Sequence, residues 1–182
     1  MQHGLIEIQE GEQRKVAETK YGQYFKTYQA KPEDIERGRT GIARVDRNAF
    51  EGCNFYWVHW NLPRSAGRSA DTTGVGHPPH THKDAEILML IGTNPDDPTD
   101  LGAEVELQMG VEREKHTMTE STVVYIPPNL IHCPYIIKRT DRPWIFIEIN
   151  QGPVHTEKLF PQILTEEERA SVDWSRWKEE GY

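Results

Sequence analysis

Short stretches rich in β-branched and aromatic residues recur along this chain between turn signals, and no other feature constrains its fold as strongly. The ten stretches are residues 5–8, 23–28, 41–45, 54–60, 86–91, 103–109, 115–119, 122–126, 131–137 and 144–150. Glycine and proline cluster at the breaks, notably at 74–79, 94–102 and 127–128. Many short strands with such spacing are typical of an antiparallel sandwich or barrel. The sequence therefore predicts an all-β fold.

Alternation within one stretch indicates how such a strand is buried. Val105, Leu107 and Met109 fall on one side of an extended chain, and Glu106 and Gln108 fall on the other. This pattern predicts an antiparallel strand with one face in the core and one face in water.

The C-terminal segment carries the clearest helix signal. Thr165, followed three residues later by Glu168, matches a capping box. We therefore expect a short helix within 161–182. Trp174 and Trp177, three residues apart, would lie on one face of it and pack on the barrel or on a partner subunit.

The 182 residues favour a single domain, because no linker is long enough to separate two. Five Trp, seven Tyr and five Phe supply the surface for one core, although only 36% of the residues are hydrophobic. We interpret residues 1–40 as an N-terminal arm with added strands, 41–160 as the barrel and 161–182 as the C-terminal helix.

Charge and cysteine content narrow the classes of partner and compartment. The chain carries 29 acidic against 21 basic side chains, a formal net charge of −8, which disfavours nucleic acid and anionic membranes. No run approaches the ~20 apolar residues of a membrane span. Cys53 and Cys133 show no CxxC spacing and fit a reducing compartment. We expect a cytoplasmic protein that binds a small molecule.

Histidine and glutamate cluster in a pattern typical of a metal site. On a strand, His80 and His82 point to the same side, and a short turn lets Glu86 open the return strand nearby. A proline-bounded turn at 125–132 delivers His132 onto another strand. Imidazole and carboxylate together suit divalent manganese, iron, nickel or zinc, and four protein ligands on an octahedral ion leave two positions open.

The same segment resembles the first motif of the cupin superfamily, which reads Gly, five residues, His-x-His, three or four residues, Glu, six residues, Gly. Gly74, His80, His82, Glu86 and Gly92 fill these positions, with five residues instead of six before Gly92. The resemblance implies a single cupin barrel, a double-stranded β-helix or jelly roll.

The second cupin motif reads Gly, five residues, Pro-x-Gly, two residues, His, three residues, Asn. Pro127 and His132 match its centre, and Asn129 stands in place of the turn glycine, whose left-handed conformation asparagine tolerates. Ser121 and Ile136 depart from the flanking Gly and Asn. Carried over, the resemblance places the metal ligands at His80, His82, Glu86 and His132, holding one divalent ion (Mn, Fe, Zn or Ni).

Three further residues are candidates for a catalytic role. His77 is a base at the barrel mouth, a fifth ligand or a turn residue stiffened by the prolines after it. His59 lies in the pocket, or is exposed if the strand register differs by one. Glu148 is a general base or orients a histidine if its face of the 144–150 strand lines the cavity, and is solvated if the other face does. Cys133 directly follows His132 and so should point away from the metal.

The resemblance implies a metalloenzyme acting on a small enolisable dicarbonyl, phenolic or carboxylate substrate, cleaving or rearranging a C–C or C–O bond. A dioxygenase and a redox-neutral hydrolase, for example one that opens a cyclic 1,3-diketone, stay open, as does a lyase or isomerase. The alternative is a metal- or metabolite-binding module without turnover. Because cupins commonly pair, we also expect a homodimer.

Overall fold

A computed structural model describes residues 20–25, 27, 39–63 and 75–182. Its strands are β1 (Arg39–Val45), β2 (Phe55–Asn61), β3 (His80–Thr81), β4 (Glu86–Gly92), β5 (Asp100–Met109), β6 (Glu114–Glu120), β7 (Thr122–Ile126), β8 (His132–Thr140), β9 (Trp144–Asn150) and β10 (Lys158–Leu159). One α-helix, α1 (Glu166–Ser171), follows them, and 3₁₀ turns lie at Gly22–Tyr24, Pro161–Ile163 and Trp174–Arg176.

The strands form two five-stranded antiparallel sheets. One has the order β1-β2-β9-β4-β7 and the other β10-β3-β8-β5-β6. Chain neighbours such as β4 and β5 lie in different sheets, so the chain passes back and forth between the two layers as in a jelly roll. The predicted all-β jelly-roll barrel with a short C-terminal helix is confirmed.

The core lies between the inner faces of the two sheets. Its buried members are Leu88, Leu90, Leu101, Ala103, Val105, Leu107, Met118, Ile126, Cys133, Ile137, Trp144 and Phe146. Alternating residues of β4, β5 and β9 supply most of them, because side chains two apart on a strand share a face. The core occupies one end of the barrel, and the other end opens into a cavity lined by Glu86 and His132.

Most predicted strands are present within about three residues of their predicted ends. Of the two short strands, β3 contains His80, which was predicted to lie on a strand, but it ends before His82, and β10 was not predicted. The stretch 23–28 was predicted as a strand, but Gly22–Tyr24 forms a 3₁₀ turn. The predicted strand at 5–8, most of the predicted N-terminal arm and the motif residue Gly74 lie outside the described residues.

The outer face of β5 corrects the expectation of a solvated face. Glu106 is 7% exposed and Gln108 only 2%. The Glu106 carboxylate lies within 3.7 Å of Lys115 Nζ and 3.4 Å of Lys138 Nζ. Gln108 donates to Glu106 at 2.8 Å and accepts from Arg113 Nε at 2.8 Å. Neighbouring long side chains therefore cover this face, which period-two alternation cannot show.

The C-terminal segment begins as predicted and then departs from a helix. The Thr165 side chain accepts from the Glu168 N–H, and the Glu168 side chain accepts from the Thr165 N–H, so the capping box is confirmed. The helix ends at Ser171, and Trp174 opens a separate 3₁₀ turn. Both Trp174 and Trp177 pack against Val75, Leu164 and Val172. Among the described residues, no helix has both the length and the apolar character needed to cross a membrane.

Candidate metal centre

Strand pairing brings the four predicted ligands together from distant parts of the chain. His80 lies on β3 directly opposite His132 at the start of β8. Glu86 opens β4, where it pairs with Asn150 of β9. His82 lies in the turn between β3 and β4. Both sheets therefore contribute to one cluster at the open end of the barrel.

The cluster is tight and buried. One ligand nitrogen from each of His80, His82 and His132 lies within 4.8 Å of the other two. His82 Nε2 is 3.3 Å from Glu86 Oε1, and His132 Nε2 is 3.1 Å from Glu86 Oε2. Each of the four residues is at most 3% exposed.

Backbone carbonyl groups orient all three imidazoles. The bonds join His80 Nδ1 to Pro78 O at 2.8 Å, His132 Nδ1 to Leu130 O at 3.1 Å, and His82 Nδ1 to Thr156 O. A carbonyl oxygen can only accept, so in each ring Nδ1 carries the hydrogen. Nε2 then presents its lone pair towards the cluster, as in metal-binding histidines whose other nitrogen is hydrogen-bonded.

This arrangement fits a cation. The Nε2 atoms of His82 and His132 are buried and have no hydrogen-bond partner of normal geometry, although each lies close to a Glu86 oxygen. Nitrogen lone pairs that face a carboxylate repel it unless a proton or a metal ion lies between them. Asn150 Nδ2 donates to Glu86 Oε1 at 3.0 Å and fixes the carboxylate.

The electrostatics of the cluster favour the same donor set. Burial, reinforced by His77, His132 and His82, holds the pKa of His80 well below its usual value, so this imidazole is neutral. Burial also disfavours the charged form of His82, but the Glu86 carboxylate outweighs burial and raises the pKa of His82 to about 9. Burial opposes ionisation of Glu86, yet the imidazoles of His132 and His82 beside it hold its pKa well below the usual range. The site therefore holds an anionic carboxylate that favours a positive charge beside it.

A cavity of about 370 Å³ adjoins the cluster. Part of the cavity wall is apolar and aromatic, with Phe55, Trp57, Leu88, Ile137 and Phe146. Polar groups also line the cavity, among them Arg44, Arg176 and Lys178. This volume is at the lower end of the range for small-molecule sites.

The three candidate catalytic residues all line this cavity. His59 is 2% exposed, and its ring lies 4.9 Å from Trp57 and 5.1 Å from Phe146. Glu148 and Phe146 lie on the same face of β9, and this face lines the cavity. His77 lies 3.4 Å from Glu157 and stacks on the His80 ring at 4.1 Å.

Other cavity residues carried no signal in the sequence. His155 Nε2 lies 3.7 Å from Glu148 and 3.9 Å from Glu157, and its ring is 5.0 Å from that of His82. Glu157 is 5% exposed, which is unusual for a carboxylate. Both residues reach the cavity through the loop after β9, whose path only the fold determines.

Cys133 does not point away from the cluster as expected. Its φ of +68° interrupts the alternation of β8, so the side chain joins His132 on the cavity side. Its sulfur lies within 4.8 Å of ligand nitrogens of His77 and His80. Burial raises the pKa of this thiol well above its usual value. Asn129, by contrast, adopts the predicted left-handed conformation, with φ of +63°.

Comparison with known proteins gave structural similarities only. No model of a known protein family matches the chain, and no curated protein sequence matches it. Oxalate oxidase in complex with glycolate superimposes with a TM-score of 0.45 at 16% identity over 76% of this chain, and the chain spans 64% of the length of that protein. A double-stranded β-helix protein from Klebsiella pneumoniae gives 0.41 at 11% identity, covering 66% of this chain and 81% of that one. A cupin-superfamily sugar phosphate isomerase from Silicibacter pomeroyi gives 0.39 at 14% identity, covering 74% and 73%.

The assignment of the fold rests on the topology and on the placement of the motif residues. Two antiparallel sheets enclose the barrel, and the His-x-His, Glu and His positions of the two motifs converge at its open end. The chain therefore has the cupin fold.

Proposed function

We propose that this protein is a metal-dependent enzyme that binds a small oxygen-rich substrate, such as an enolisable dicarbonyl, a phenol or a carboxylate, and cleaves or rearranges one of its C–C or C–O bonds. One observation carries the proposal: three oriented imidazoles and one carboxylate converge, buried, beside a cavity large enough for a small molecule. His80, His82, Glu86 and His132 would hold the ion.

A divalent ion held there would supply Lewis acidity towards a substrate oxygen. Glu86 is the only anionic group among the four residues, which leaves a formal charge of about +1 for a divalent ion with three neutral imidazoles. That charge favours an enolate, phenolate or carboxylate oxygen as the partner. The apolar wall of the cavity limits water around the bound substrate and strengthens this attraction.

Glu148 is the best-placed proton acceptor in the cavity. Its side chain is 13% exposed, and Oε1 lies 3.7 Å from His155 Nε2. A carboxylate on a cavity wall can accept a proton from a carbon or hydroxyl of the bound substrate. His155 and Glu157 adjoin it and offer neighbouring groups to which the proton can pass.

The open cavity favours a protein that binds a small molecule over one that only holds a metal ion. Aromatic side chains that filled the barrel would leave no room for a substrate beside the ligands. Here the cavity retains about 370 Å³ and places polar groups next to the cluster.

Elemental analysis of the purified protein, followed by assays against a panel of 1,3-diketones and phenols, tests the proposal. We expect about one divalent ion per chain and turnover of at least one member of the panel. Equal rates with and without dioxygen would identify redox-neutral hydrolysis, lyase or isomerase chemistry, and strict dependence on dioxygen would identify an oxygenase. A metal-loaded protein that binds panel members without turnover would contradict the enzyme proposal in favour of the binding module.

A further inference from the structure

Trp177 occupies an unusual place in the cavity wall. Its indole stacks on the His77 ring at 4.3 Å with 22° between the planes, and His77 stacks on the His80 ring at 4.1 Å with 18°. Three rings thus form one column from the C-terminal segment to a predicted metal ligand. All three rings of this column line the cavity.

The backbone holds Trp177 from both sides. On the N-terminal side, the backbone N–H of Trp177 donates to Trp174 O at 3.2 Å and closes the 3₁₀ turn. After it, Glu180 exchanges two backbone hydrogen bonds with Glu157, at 2.7 and 2.9 Å. Glu180 Oε2 also lies 3.1 Å from His155 Nδ1. The indole is therefore a fixed part of the wall and not a mobile tail.

Comparison with Trp174 shows that packing alone does not account for Trp177. Both indoles pack on the same apolar cluster of Val75, Leu164 and Val172. Trp174 donates its Nε1–H to Arg169 O at 2.9 Å, as a structural tryptophan normally does. The Nε1 of Trp177 is buried and has no acceptor among the described residues. Only Trp177 of the two lines the cavity.

We infer that Trp177 is a specificity-determining residue that limits the size of the substrate which can reach the metal centre. The inference rests on the proposed function, because it concerns access to the same centre. One face of the indole is already occupied by His77, so the ring acts as a wall and not as a free stacking platform. In a cavity near the lower limit for small-molecule sites, removing that wall opens room beside His77 for a bulkier group on a substrate held at the ligands.

Two bidentate oxygen chelators of different size test this directly. Acetohydroxamate and benzohydroxamate share one chelating group and differ by a phenyl in place of a methyl. Their dissociation constants from the Co²⁺-loaded protein are measured by titration of the visible absorption of the cobalt ion, which needs no turnover. The quantity compared between variants is the ratio of the two constants, since it cancels any general change in metal affinity.

We expect Trp177→Ala to shift this ratio about tenfold in favour of benzohydroxamate. Trp177→Leu, which keeps an apolar side chain on the Val75, Leu164 and Val172 cluster, should shift it in the same direction and guards against misfolding of the alanine variant. Trp174→Ala is the matched control and should leave the ratio within about twofold of wild type.

The outcomes separate the two proposals. A ratio that is unchanged in both Trp177 variants, or that moves towards acetohydroxamate, overturns the inference and leaves the metal centre intact. An equal shift in Trp174→Ala also overturns it, because the effect would then come from the apolar cluster. Failure of wild-type protein to bind Co²⁺ overturns the proposed function and, with it, this inference.

Discussion

At the scale of single residues, Glu86 determines the charge of the candidate metal centre. It receives hydrogen bonds or close approaches from three sides, through His82, His132 and Asn150. A buried carboxylate so surrounded stays ionised, because the partners stabilise its charged form by more than burial destabilises it. With a metal ion bound, the three imidazoles, oriented by carbonyl groups, would donate lone pairs and add no charge.

Replacing Glu86 with Gln should lower metal affinity at least about tenfold, because the amide keeps the size and one oxygen but removes the only negative charge among the four ligands. Isothermal titration of the metal-free protein measures this, and turnover at saturating metal should also change. Glu106→Gln is the control, since Glu106 is also buried but lies on the outer face of β5 beside two lysines. A Glu86→Gln protein with wild-type affinity and rate would mean that the site has only three histidine ligands.

At the scale of elements, an ion pair fastens helix α1 to the barrel. Arg113, in the turn between β5 and β6, donates from both terminal nitrogens to Glu168, at 2.7 and 2.6 Å. The same carboxylate caps the helix at Thr165. The pKa of Glu168 is lowered to about 2, mainly because its carboxylate accepts hydrogen bonds from Arg113. The helix has only six residues, so this pair and the contacts of Leu164 and Val172 determine its position.

This ion pair predicts a pH-dependent contribution to stability. The pKa of Glu168 is lowered on folding from an ordinary 4.5 to about 2, so its stabilisation is fully present above the higher value and is lost as pH falls towards the lower one. Because the side chain is 30% exposed, solvent screening limits the contribution to about 1 kcal/mol. Glu168→Gln should therefore melt about 2–4 °C below wild type at pH 6.

Thermal unfolding of both proteins between pH 6 and pH 2.5 checks this prediction. The difference in melting temperature should shrink as pH falls, since protonation removes the charge from wild-type Glu168 as well. Glu167→Gln, one residue away and exposed, should melt close to wild type throughout. A Glu168→Gln difference that is the same at pH 6 and pH 2.5 would contradict the assignment.

At the scale of the whole molecule, metal binding and folding are coupled. His132 lies 46 positions beyond Glu86 in the chain, and the two meet only because β8 and β4 belong to facing sheets. The unfolded chain has no such site, so a ligand of the folded site stabilises the fold. Saturation at about 100 times the dissociation constant would add about 2.7 kcal/mol.

The added metal should raise the melting temperature of wild-type protein and should not raise that of His132→Ala. Metal content after dialysis should fall in the same variant, because one of four donors is missing. His116→Ala, which removes a histidine that is half exposed on β6, controls for nonspecific binding. Full metal occupancy in His132→Ala would show that the ligand assignment is wrong.

The homodimer stays a prediction, and we expect the N-terminal arm to supply apolar surface for it. Trp174 and Trp177 pack against Val75, Leu164 and Val172 of their own chain. Deleting residues 1–23 should therefore weaken the dimer, measured by light scattering at micromolar concentration. A full-length monomer under these conditions would count against the prediction.

The sequence by itself determined the features that depend on neighbouring residues. Alternation and turn residues predicted most strands, and the capping box predicted where α1 begins, because strand period and helix capping are local properties. His80, His82, Glu86 and His132 were identifiable because two short motifs hold them at fixed spacing. The left-handed Asn129 followed from the same local logic.

Only the tertiary structure decided which distant residues meet. His155, Glu157 and Trp177 join the cavity because β10 and the C-terminal segment return to β3. The paired residues of β10 and β3 are 77 and 79 positions apart, a separation that no local pattern records. The burial of Glu106 and Gln108 depends on side chains from β6, β8 and the β5–β6 turn that cover their face. Cys133 turned inward against the strand alternation through one positive φ. Local sequence fixes conformation through short-range sterics and hydrogen bonds, whereas these contacts exist only once both sheets have closed.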